Sequence, residues 1–70
     1  MYNEAEDEYK KAIELNPKDI DPHNALGRLY RKKGMIEEAK TEYRKSLGMD
    51  PNQPEIKKEL DELKWPKKKK

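Results

Sequence analysis

Apolar residues recur along the chain at the spacing of one face of an α-helix. Ala5, Tyr9, Ala12 and Ile13 follow an i, i+4, i+7, i+8 pattern. Leu26, Leu29 and Tyr30 continue it in a second segment, with Ile20 and His23 upstream. Ile36, Ala39, Tyr43 and Leu47 form a third stripe, and Ile56, Leu60 and Leu63 a fourth. No segment alternates with period two, so no strand is predicted. The residues between the stripes agree. Asn16-Pro17 ends the first helix, because the residue before a proline avoids the helical region. Asp21-Pro22 opens the second: Asp accepts from free backbone N–H groups and Pro fits the first turn. Gly34 ends it as a left-handed cap, Asp50-Pro51 closes the third, and Asn52 or Gln53 with Pro54 opens the fourth, with Glu55 favourable in its first turn. Trp65-Pro66 stops it. The prediction is an all-α chain with helices near 3–15, 21–33, 37–49 and 54–65, forming one domain over 1–65 followed by a disordered basic tail, 66–70.

The chain also repeats itself. Pro17 and Pro51 lie 34 residues apart (51 − 17), and at that offset Glu4 pairs with Glu38, Ala5 with Ala39, Glu8 with Glu42, Tyr9 with Tyr43 and Lys11 with Lys45. Ile13 pairs with Leu47, Leu15 with Met49 and Asn16 with Asp50. A shared offset for both the apolar positions and the closing proline marks a repeated helical hairpin.

Composition narrows the function classes. Charged residues make up 46% of the 70 residues and hydrophobic ones 31%, which suits helices with a narrow apolar stripe and leaves little for a deep pocket. There is no cysteine, so neither a disulfide framework nor a thiolate metal site can form. No apolar run approaches the roughly 20 residues of a membrane span. The start, Met1-Tyr2-Asn3-Glu4, lacks the pattern of a secretory signal peptide. A cytoplasmic protein with no membrane association is expected. Net charge is +2, but four of the basic residues are Lys67–Lys70; residues 1–65 are slightly acidic. The basic balance therefore belongs to the tail and does not by itself argue for nucleic acid.

These features resemble the tetratricopeptide repeat family, whose 34-residue helix–turn–helix units carry small residues at the helix crossing and a closing proline. Residues 20–53 resemble one full repeat: Leu26-Gly27 and Tyr30 match its first helix, Ala39 and Tyr43 its second, and Asp50-Pro51 its closing turn. Residues 2–19 resemble the second helix of a preceding repeat, and 54–65 a terminal capping helix. His23, Ser46 and Gly48 depart from the family pattern. The resemblance implies a scaffold that binds a protein or an extended peptide along a groove lined by first helices. Here that groove would carry Asp21, Asn24, Arg28, Arg31 and Lys32, then Glu55, Lys58 and Glu62. The carboxylate clamp of one branch of the family is not expected, because Ala25 and Glu59 stand where it needs polar and basic groups.

A repeat helix does not bury its apolar face alone. Tyr2, Ala5, Tyr9, Ala12 and Ile13 are therefore candidates for self-association, as a two-fold dimer or by exchange of helices across the Lys33-Gly34 turn. The alternative is a structural unit, excised or designed, without a ligand. Arg28, Arg31, Lys32 and Lys33 read either as a solvated helix end or as a site for an acidic peptide. The lysine tail admits polyanion binding as a weaker alternative.

No catalytic chemistry is expected. The only hydroxyls outside tyrosine are Thr41 and Ser46, and His23 is the one imidazole, expected to be a half-buried packing residue. The acids Glu4, Glu6, Asp7 and Glu8 fit the positive end of a helix better than a metal. Three isolated glycines form no phosphate loop. No cofactor and no metal are expected.

Overall fold

A computed structural model describes residues 2–64, excepting the Tyr2 side chain. The Trp65-Pro66 stop and the Lys67–Lys70 tail lie outside the described residues. The chain forms α1 (Tyr2–Leu15), α2 (Ile20–Lys32), α3 (Ile36–Met49) and α4 (Pro54–Lys64), with no strand among the described residues. Each helix packs on the next in sequence, and the α2–α3 hairpin is the most extensive pair. Each described boundary lies within a residue of its expected position.

The start of α2 differs in detail from the expectation. Asp19, not Asp21, is the N-cap: its extended backbone lets Oδ1 accept from the Asp21 N–H at 3.0 Å. Pro22 then falls in the first turn, where its missing N–H leaves no helical bond unmade. The end of α2 is a Schellman turn. Gly34 sits at φ +82°, its N–H donates to the Arg31 carbonyl at 3.0 Å, and the Met35 N–H donates to Tyr30 at 2.8 Å. Met35 packs back on the cluster that contains Tyr30.

The apolar stripes meet in two adjoining clusters. Leu26, Leu29 and Tyr30 of α2 pack with Ala39 of α3, and Ala5, Tyr9 and Ile13 of α1 lie against them. Tyr43 of α3 packs with Ile56 and Leu60 of α4. The two are joined through Gly27. A Cβ placed at Gly27 would lie 2.5 Å from Cε1 of Tyr43, so the ring lies over the bare backbone of α2. Tyr43 is 0% exposed as a result. Beside this crossing His23 is buried, not half-buried as the sequence suggests, because Glu42 on α3 supplies a partner 2.7 Å from its Nδ1.

Polar ties fix the outer helices. Glu6 on α1 accepts from the Tyr30 hydroxyl at 3.0 Å and from Lys33 Nζ at 3.1 Å, with Lys10 Nζ also at 3.0 Å. Lys10, Lys33 and Tyr30 together hold the Glu6 carboxyl down to about 2 from its ordinary 4.5. Burial, and then Glu6 itself, push the Tyr30 phenol up, so that its hydroxyl stays protonated and donates. Gln53 ties the last turn: its Nε2 donates to the Ser46 carbonyl at 3.1 Å, to Ser46 Oγ at 2.9 Å and to the Asp50 carbonyl at 2.8 Å.

The three glycines predict three different responses to alanine. Gly34→Ala should lower stability by about 1–2 kcal/mol, the cost of a side chain at positive φ. In Gly27→Ala the methyl meets a ring that is wholly enclosed. Overpacking of about 1–3 kcal/mol then outweighs a helix-propensity gain of about 1 kcal/mol. Gly48 has nothing within 4 Å of a built Cβ, so Gly48→Ala should gain about 0.5–1 kcal/mol. Urea unfolding of the three variants checks the signs. The Glu6 ties predict an acid limb. A carboxyl held below its unfolded value stabilises fully above pH 4.5 and loses that contribution as pH falls toward about 2. Unfolding midpoints measured between pH 7 and pH 2 should fall over this window, and Glu6→Gln should lower the midpoint at pH 7 while flattening the fall.

Candidate functional site

The repeated hairpin places α2 and α4, the two first-type helices, side by side, with α3 behind them. Between them lies an open cleft of about 440 Å³ lined by Asn24, Arg28, Gln53, Pro54, Glu55 and Ile56. Of the groove residues expected from sequence, Asn24, Arg28 and Glu55 are brought together here. Asp21, Arg31, Lys32, Lys58 and Glu62 are exposed but do not line the cleft.

Arg28 is anchored within the chain. Its Nη2 lies 2.9 Å from Glu59 Oε2, and its Nε lies 3.2 Å from Oε1, a forked pairing that fixes the guanidinium plane. The Tyr43 hydroxyl donates to the same Glu59 at 2.7 Å, and Arg31 Nη1 stands 3.9 Å away. Burial by itself would push the Glu59 carboxyl up. Hydrogen bonds from Arg28 and Tyr43, with the charges of Arg28 and Arg31, outweigh it and hold the carboxyl below its ordinary value. Glu59 thus connects the floor of the groove to the crossing beneath it. The resemblance marks Glu59 only as an obstacle to a carboxylate clamp. In the structure it is the residue that orients Arg28.

Gln53 is the groove residue that sequence reasoning missed. Its amide nitrogen is committed to three acceptors around Ser46 and Asp50, which turns its oxygen toward Asn24. Asn24 Nδ2 donates to that oxygen at 2.9 Å. The Asn24 orientation follows from this chain of bonds, and it leaves Asn24 Oδ1 buried with no partner. The sequence signal was only a polar residue before Pro54; its reach back across 29 positions to Asn24 depends on tertiary packing.

Catalytic groups do not converge in the cleft. Thr41 donates its hydroxyl to the Glu37 carbonyl at 3.0 Å, and Ser46 is buried with Oγ accepting from Gln53. Among the described residues no group of three His, Cys, Asp or Glu side chains is placed to hold a metal ion. No helix among them is long and apolar enough to cross a membrane. The cleft sets the polar side chains of Asn24, Arg28, Gln53 and Glu55 beside Pro54 and Ile56.

Comparison with known proteins agrees with this architecture. No curated protein matches the chain. Residues 8–41 match the family model described as Tetratricopeptide repeat, a span that runs from within α1 through α2 into α3. The four helices and the glycine crossing at Gly27 fit a fragment similar to a tetratricopeptide repeat.

Proposed function

We propose that the protein is a non-enzymatic interaction scaffold that holds an extended peptide segment of a partner protein in the α2–α4 groove. The tetratricopeptide match supports protein interaction in general. The observation that carries the groove reading is the forked Arg28–Glu59 pair set at the edge of a cleft that also presents Asn24 and Glu55. An arginine held by a partly buried carboxylate loses little further side-chain entropy when a ligand arrives, which lowers the cost of binding.

The pairing also refines the expected partner. Arg28 is neutralised from within the chain, and Glu55 lies across the cleft from it. The other cations of the expected groove set, Arg31, Lys32 and Lys58, are exposed and lie outside the cleft lining, with Arg31 also 3.9 Å from Glu59. Exposed charges outside a binding cleft act on association rate and orientation more than on affinity. The groove therefore reads a peptide first by backbone hydrogen bonds and apolar contact with Pro54 and Ile56, and an acidic residue in the peptide aligns it toward the end of α2. A charge-rich helical scaffold without cysteine suits the reducing cytoplasm.

Selection of a displayed peptide library on the folded protein tests this reading. Selected peptides should move the backbone NMR signals of Asn24, Arg28, Gln53 and Ile56. Glu55→Lys, which changes an exposed residue only, should shift the selected consensus toward acidic residues. Peptides that bind with no change at these four positions, or a consensus indifferent to Glu55→Lys, would contradict it.

A further inference from the structure

The side chains that line the α2–α4 cleft differ in which of their hydrogen-bonding groups are already engaged. Gln53 Nε2 donates to the Ser46 carbonyl, to Ser46 Oγ and to the Asp50 carbonyl. Asn24 Nδ2 donates to Gln53 Oε1 at 2.9 Å. Arg28 donates through Nε and Nη2 to Glu59. Each of these donors is held by an acceptor of the chain itself. The acceptors are less well served. Asn24 Oδ1 is buried with no partner. Glu55 is exposed, and its carboxylate has no ion pair among the described residues; Lys58, one turn along α4, does not reach it. What this lining lacks is donors, and an occupant that supplies them meets groups otherwise unpaired.

Charge leads the same way. Arg28 and Glu55 are the charged side chains of the lining. Glu59 balances Arg28, including the outward N–H groups that its fork leaves free, and Glu59 is itself held from beneath by the buried Tyr43 hydroxyl at 2.7 Å. A ligand carboxylate would reach Arg28 only by replacing a carboxylate already in forked geometry. Glu59 would then be left partly buried without its partner, which is costly. The charge that remains unbalanced is Glu55. It sits in the first turn of α4. The free N–H groups there amount to about half a positive charge, less than the full charge of the carboxylate.

We propose that this cleft is a subsite for a cationic side chain, lysine or arginine, seated on Glu55, and that Glu59 keeps acidic side chains off Arg28. The proposal rests on the peptide reading above and adds the chemistry of the residue that the cleft selects. The methylene stem of the cation lies along the exposed Pro54 while its head group donates to Glu55. Asn24 Oδ1 adds an unmatched partial negative charge at the same end, since Asn24 is bonded to Gln53, two residues before Glu55. An acidic residue of the same peptide belongs outside the cleft, toward Arg31 and Lys32 at the far end of α2. The preferred ligand is thus dipolar, with its basic residue in the cleft.

Titration of the full chain with three blocked peptides of one alanine–proline frame, carrying lysine, methionine or glutamate at the centre, tests this by backbone NMR. The lysine peptide should move the signals of Asn24, Glu55 and Ile56. It should bind at least about threefold more tightly than the methionine peptide, the scale of an exposed ion pair, with the glutamate peptide weakest. Added salt should narrow these differences. Glu55→Gln should bring the lysine and methionine peptides to equal affinity. Glu59→Gln keeps an acceptor for Tyr43 and removes the charge that balances Arg28. It should strengthen the glutamate peptide at least about threefold, with helicity unchanged. Several results would overturn the proposal while leaving a peptide groove in place. They are equal affinity of the lysine and methionine peptides for the parent chain, a lysine preference that survives Glu55→Gln, a glutamate peptide that binds best, or one indifferent to Glu59→Gln. No saturation by any of the three up to roughly 10 mM would overturn it together with the peptide reading.

Discussion

The close passage of the Tyr43 ring over the bare backbone of Gly27 is the contact on which the other packing depends. It brings α3 onto α2 near enough for Leu26 and Ala39 to close around one another, with 1% and 0% exposure. It also aims the Tyr43 hydroxyl through the crossing at Glu59 on α4. Glu59 in turn holds Arg28 at the edge of the cleft. One aromatic side chain therefore joins three helices and positions the polar edge of the groove. In a small chain, whose folding buries only about 60% of the surface it exposes when unfolded, a contact shared by three elements carries an unusual share of the cohesion.

The sequence made the helices legible because its apolar period and its punctuation point the same way. The 34-residue offset also located the crossing, since Gly27 and Tyr43 fall at the family positions. It did not reveal which polar groups meet. Glu6 finds Tyr30 and Lys33, Glu59 finds Arg28 and Tyr43, and Gln53 finds Asn24 across separations of 16 to 31 residues. Such pairs are set by where helices lie after packing, and no local propensity encodes them. The α2 cap shows the same limit at short range. Asp19 and Asp21 are both competent caps, and the choice falls to Asp19 because its extended backbone directs Oδ1 at the Asp21 N–H. His23 looked like a tolerated misfit in the apolar stripe. It is a paired buried group whose partner, Glu42, lies on another helix.

The proposed groove follows from the same geometry. The groove arises because two first-type helices stand side by side over α3, and its arginine is held in place by a carboxylate from the neighbouring helix.

The most direct test of the central contact is a double-mutant cycle between Gly27→Ala and Tyr43→Leu, read by urea unfolding. The ring is the obstacle to a side chain at position 27, so removing it should relieve most of the strain that alanine causes. A coupling of about 1 kcal/mol or more is predicted, with alanine becoming neutral or favourable in the leucine background. Additivity within about 0.3–0.5 kcal/mol would mean that the two residues do not constrain one another, and would contradict the account.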